Sequence, residues 1–284
     1  MPPARRARPR AAGIEHGHTN APQHRGPIQM SMCMSIRAAT LTAMLCVTRV
    51  AAAQSAAEHV AIGDSLHAAM NVTAALQHYE QALAVDTGNY EASWKAAREA
   101  VDLGEFNASK EERTRLYQTA ERHARRAAAI NPGDAEGHFH LARAIGRNAL
   151  TMGTRDRIKF AKEVRNHALE ALKLDPKHAG ALHVMGVWNA EVMRLSGFSR
   201  MIAKNFLGGQ IFGQASWKEA VRYMEESVAV EPERLVHHLD LGKVYADVGD
   251  KAKAREQFEI VVREPATELN DKHYKEDAQR RLSQ

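Results

Sequence analysis

From residue 56 onward apolar and polar positions follow a helical period, and one arrangement returns five times. A small residue is followed four positions later by an aromatic or small one, then after three by another small one, then after five by Pro. The sets read Ala75, Tyr79, Ala82 with Thr87 in the proline slot; Ala120, Ala124, Ala127, Pro132; and Val164, Ala168, Ala171, Pro176. They continue as Ala220, Met224, Ser227, Pro232, and Ala254, Phe258, Val261 with Pro265 one place early. Spacings of four and three put each set on one face of a helix. Each of these helices follows another that carries small residues of its own, as in Leu241-Gly242-x-x-Tyr245 with Gly249, and Gly63 with Leu66.

Paired helices with small residues at their crossing and Pro at the turn form the tetratricopeptide (TPR) pattern. The expected fold is all-α, a TPR superhelical solenoid of about five helix pairs. Units are placed at 56–89, 90–133, 134–178, 179–233 and 234–266, and a polar helix over 268–283 caps the stack. The usual period is about 34 residues. Units two and three exceed it by about ten and unit four by about twenty, with the extra residues between the two helices of each unit. In unit two, Ser109 and Glu112 have the spacing of a capping box that restarts a helix. Longer pairs in consecutive units are expected to project past the solenoid edge and wall off its concave groove.

Composition agrees with helix packing, since only 6% of residues are aromatic, and small Ala and Leu contacts suit helices better than a β-sandwich. The net charge of +5 is misleading taken whole. Residues 1–53 hold seven Arg and one acid, Glu15, which is +6 and leaves residues 54–284 at about −1. The basic balance therefore belongs to a leader, and no nucleic-acid partner is expected of the repeats. Within that leader, Arg37, the apolar run Ala38 to Val47 and Ala51-Ala52-Ala53 before Gln54 have the layout of a secretory signal, cleaved near Ala53-Gln54. An organelle transit peptide is the alternative. The chain is expected to be secreted or periplasmic, with cytoplasmic, cytoskeletal or organellar placement as the other reading. Both cysteines, Cys33 and Cys46, fall in the leader, so thiol chemistry is excluded from the processed chain. No transmembrane helix is expected in that chain.

Candidate binding residues come from two places. Positions along the first helix of each unit normally line a TPR groove; here they give Lys95, Arg98 and Glu99, Phe139 and Arg143, His183 and Val187, and Lys243. A recurrent cation suits an acidic peptide or a phosphate-bearing ligand. The second is the insertion "SGFSRMIAKNFLGGQIFGQAS" with the Leu195 before it: over Leu195 to Leu207, Leu195, Phe198, Ile202 and Phe206 share one helical face, and Arg200 and Lys204 lie on another. It is read as a basic amphipathic flap over the groove. His138 and His140 lie two apart on a helix and cannot chelate one ion, so they are expected to hydrogen-bond between helices. No metal, no cofactor and no catalytic constellation is expected.

The run from "GHFHLARAIG" to "MRLSGFSRMIAKNFLGG" resembles the regulator of microtubule dynamics family. Trp94 with Arg98, Gly137-His138-x-His140, Ile158 with His167, Gly186-x-Trp188, Leu195-Ser196 and Ala203 before Gly208 carry the likeness, which covers about residues 90–265. It implies a TPR domain. Animal members are described as microtubule- and spindle-associated, and one as a tether between organelle membranes whose helical domain binds phospholipid. The expected function is a non-catalytic scaffold that holds a protein segment or an anionic phospholipid in its groove, with peripheral membrane contact. The alternative is a microtubule- or spindle-associated regulator with a basic N-terminal arm.

Overall fold

The computed structural model describes residues 54–197 and 209–284. The expected leader, with its cleavage near Ala53, and the flap residues Phe198, Arg200, Ile202, Lys204 and Phe206 lie outside the described residues. Eleven α-helices and one 3-10 helix occur among those described, with no strand. They pair in order: α1 (Ala56–Ala68) with α2 (Val72–Val85), α3 (Tyr90–Glu105) with α4 (Lys110–Ile130), and α5 (Ala135–Leu150) with α6 (Thr154–Leu174). Next, α7 (Ala179–Arg194) pairs with α8 (Trp217–Val230) across the 3-10 turn Gly209–Gln214, α9 (Leu235–Asp247) pairs with α10 (Lys251–Arg263), and α11 (Asp271–Leu282) ends the chain.

All fifteen residues of the five repeated sets before the Pro slot are buried. Small residues on the facing helix let the larger members of the sets pack closely: a Cβ on Gly63 would lie 2.5 Å from the Tyr79 ring. Local chemistry starts the helices. Asn71, Asn89, Asp134, Ser216 and Asp250 each accept a hydrogen bond from an amide of the first turn, which satisfies one of the donors a helix leaves unpaired. A complete capping box forms at Ser55 and Glu58. The one expected at Ser109 is half formed, because its hydroxyl accepts from Glu112 N at 3.2 Å while the Glu112 carboxylate turns to Arg115. The extra residues of units two and three lengthen helices more than loops: α4 and α6 each run 21 residues against 14 for α2.

The first helices of successive pairs, α3, α5, α7 and α9, make the inner layer. Beyond capping the last pair, α11 and the residues before it reach back to α3. Asn270 Nδ2 donates to the Asp102 carbonyl at 3.0 Å, and the Phe106 ring lies 4.3 Å from His273 and 5.6 Å from Tyr274, centroid to centroid. The chain thus curls until α11 meets α3, and a half-open cavity lies along α3, α5, α6, α7 and α9.

Candidate ligand-binding cavity

That cavity has a volume of about 350 Å³, within the range of small-molecule sites. One end is apolar. Trp188 of α7 donates from Nε1 to the Ala161 carbonyl of α6 at 2.8 Å, which fixes its indole as a wall, and Phe212 of the 3-10 turn stacks on it at 6.1 Å. Ile158, Val192 and Leu150 extend the same surface. Phe139 of α5 points the tip of its ring at Gly180 of α7, where a Cβ would come within 2.4 Å of it; no residue with a side chain fits there unless Phe139 moves.

The other end is cationic and rich in histidine. Arg98, Arg143, Arg147 and Arg234 line it, and each guanidinium is anchored on the protein side. Arg98 bonds Glu99 at 2.8 Å and stacks over Trp94, Arg143 pairs with Asp102 at 2.5 Å, Arg147 with Glu105 at 2.8 Å, and Arg234 with Glu268. Burial works against the charge on Arg143, but Asp102 and Glu105 outweigh it and hold the group protonated.

Glu136 stands between two histidines, His140 at 3.3 Å and His178 at 3.5 Å. Burial opposes its ionisation, yet the two rings keep its carboxyl well below the usual carboxylate range. Burial pushes His140 down to about 4 despite Glu136, whereas His178, also buried, is lifted by Glu136. On α9, Asp240 accepts from His183 at 3.0 Å, and Lys243 and His183 hold it well below its ordinary value against burial. The His183 ring stacks on His237 at 4.8 Å. Six buried side-chain polar atoms lack a hydrogen-bond partner among the described residues, and four of them, on His140, Arg157, His178 and His237, belong to residues of this one cavity. Buried polar groups are nearly always satisfied, so the cavity wall carries hydrogen-bonding capacity that the described residues leave unfilled.

Of the residues expected from groove counting, Arg98, Phe139, Arg143, His183 and Val187 line the cavity. Lys95, Glu99 and Lys243 do not. Lys95 turns to Asp64 of α1 at 2.9 Å, Glu99 is wholly buried between His67 and Arg98, and Lys243 pairs with Asp240 and with Asp277 of α11. In each case a neighbouring helix offers the opposite charge, so the side chain closes an interhelical contact. His138 bonds His167 of α6 as expected, at 3.0 Å, but His140 does not bridge helices by hydrogen bonds; it faces Glu136 of its own helix and stacks on Trp94 at 5.3 Å. Counting missed Trp94, His140, Ile158, Trp188 and Phe212. The signal was elsewhere: Trp94, Arg98, His140, Ile158, Trp188 and Leu195, which carry the family resemblance, all line this cavity. Among the described residues no helix is long and apolar enough to cross a membrane, and no cluster of three metal-ligating side chains occurs.

The family profile described as "Regulator of microtubule dynamics protein 1-3" matches residues 59–284. Regulator of microtubule dynamics protein 1 of Bos taurus is 29% identical over 163 residues, 57% of this chain and 51% of its own length; that of Homo sapiens is 26% identical over 164 residues, with the same shares. The chain thus spans about half the length of these curated relatives. Among solved structures, a thermophilic TPR protein of Thermus thermophilus aligns over 79% of this chain and 98% of its own, with a TM-score of 0.58 and 18% identity. That likeness shows a TPR fold, and the profile match over most of the chain shows that it belongs to the regulator of microtubule dynamics family.

Proposed function

We propose that this protein is a non-catalytic TPR scaffold whose cavity holds an anionic amphiphile, a phospholipid with its head among the arginines and an acyl chain along Trp188 and Phe212. One observation carries the reading: a single half-open space has an aromatic, apolar end and a cationic end, and four buried polar atoms on the residues of its wall lack partners among the described residues. A charged head gains from fixed guanidinium groups in a low-dielectric wall, and a chain gains roughly 0.8 kcal/mol per buried CH₂. An acidic protein segment would use the cationic end but leave the apolar end half filled.

Trp94 and Trp188 report directly on the cavity. The full-length chain, titrated with an anionic phospholipid, is expected to change its tryptophan emission and to retain one lipid in native mass spectrometry. Phosphatidylcholine of the same chains is expected to bind far more weakly. No retained lipid, together with capture of an acidic peptide by the same cavity, would replace the lipid reading by the peptide one.

Family membership supports a second reading, regulation of microtubules, and co-sedimentation of the full chain with tubulin polymer tests it. Peripheral membrane contact and a secreted or periplasmic location follow from the amphiphile reading and from the signal-like leader. The mass of the N-terminus in material from its own host decides the latter, with a start at Gln54 expected.

A further inference from the structure

Resting on the amphiphile reading, we propose that the head held in this cavity carries a hydroxyl that donates to His140, so that the ligand class is an anionic, hydroxyl-bearing head such as a glycerol phosphodiester and not a bare anion. Proton positions on the cavity wall lead there. His178 Nδ1 accepts the Ala181 amide at 3.1 Å as the cap of α7, so its proton sits on Nε2, toward Glu136. Glu136 is ionised and can only accept. The His140 nitrogen that faces it, Nε2 at 3.3 Å, must therefore carry the proton of a neutral ring.

His140 Nδ1 is then a bare lone pair. It is buried, in a residue 3% exposed, and has no partner among the described residues. A buried acceptor left without a donor forfeits the hydrogen bond it made to water. Among the described residues no donor reaches it: Arg98 is turned to Glu99 and to the face of Trp94, and Arg143 to Asp102. A further ring of the cavity, His237, also has its Nδ1 without a partner among the described residues.

A phosphodiester or carboxylate with no other polar group brings acceptors alone. It would suit the arginines and leave His140 as it is. An ammonium head would bring donors but place a cation among four guanidinium groups. A hydroxyl on the anionic head supplies the missing donor without that repulsion, and as both donor and acceptor it can meet either tautomer of His237. The discrimination is of the kind that a polar pocket exerts against an analogue lacking one hydroxyl.

Two lipids with one acyl composition and one negative charge test this, phosphatidylglycerol with its head hydroxyls and phosphatidylmethanol with none. The full-length protein is titrated with each by tryptophan emission. About tenfold tighter binding of phosphatidylglycerol is expected, the equivalent of one unmade hydrogen bond. In His140→Phe, which keeps an aromatic ring on Trp94, the two lipids are expected to bind within about twofold of each other by the same reasoning. Soluble glycerophosphate displacing phosphatidylglycerol at comparable concentration would keep the hydroxyl reading and make the natural ligand a soluble one. Equal binding of the two lipids by the unmodified protein would overturn the hydroxyl reading alone, with a trapped water filling the place. Failure of either lipid to bind would overturn it together with the amphiphile reading, and the unmodified protein decides both whether or not the variant folds.

Discussion

His140 is a base that its surroundings keep neutral. Its folded value of about 4 lies below the ordinary histidine value of 6.5, so the unfolded chain takes up a proton there before the folded one does. Its contribution to stability is complete above pH 6.5 and drains away as the pH falls from 6.5 toward 4. Over that window the loss amounts to roughly 3 kcal/mol. His178, lifted by Glu136, works in the opposite direction, so the comparison that isolates His140 is between the protein and His140→Phe. The variant is expected to show a flatter fall in urea midpoint from pH 6.5 to 4, and equal slopes would place the ring in water after all. A second residue is strained by its backbone. Met70, in the turn between α1 and α2, has a φ of 57°, whereas the matching turn between α9 and α10 uses Gly249 with a φ of 89°. A side chain in that left-handed region costs about 1–2 kcal/mol, and Met70 is half exposed and loses little burial. Met70→Gly is expected to raise the urea-unfolding free energy by about 1 kcal/mol.

Helix against helix, the contact of α5 with α7 decides the shape of the cavity. Gly180→Val would force Phe139 off α7 and into the space beside it, at a cost of about 1–3 kcal/mol for overpacking. Lipid binding is expected to fall more than stability does, read by tryptophan titration beside a urea melt. At this scale the sequence was a good guide. The fifteen repeated positions announce burial by their spacing, because a helix face hidden every three or four residues leaves a periodic trace whatever its partner is. The cavity left no such trace. Whether Lys95 lines a groove or meets Asp64 depends on where α1 lies, and two lysines at comparable places, Lys95 and Lys243, were both drawn away by carboxylates far off in sequence. His140 was legible as a buried histidine but not as one turned back on its own helix, since Glu136 four residues earlier is an ordinary surface pairing until Trp94 covers the ring.

The molecule as a whole departs from a simple stack through the meeting of α11 with α3. A solenoid ordinarily holds together by nearest-neighbour interfaces, and opening can begin at either end. Here a contact between residues 168 apart ties two ends together, and the entropy of closing so long a loop grows only logarithmically with its length. The segment from α3 to α11 should therefore open as one cooperative unit, while α1 and α2, which precede it, open on their own. Native-state hydrogen exchange is expected to give the slowest amides of α5, α7 and α9 a common opening free energy and those of α1 a lower one. Phe106→Ala, which removes the ring from His273 and Tyr274, is expected to give α10 and α11 a separate, lower one; uniform exchange in that variant would show that the tie carries no energy. The same closure bears on how such a chain can evolve. An open stack lengthens by copying a unit, but a copy inserted between α3 and α11 would drive apart the two surfaces that touch, so the number of helix pairs in this ring is set by its geometry.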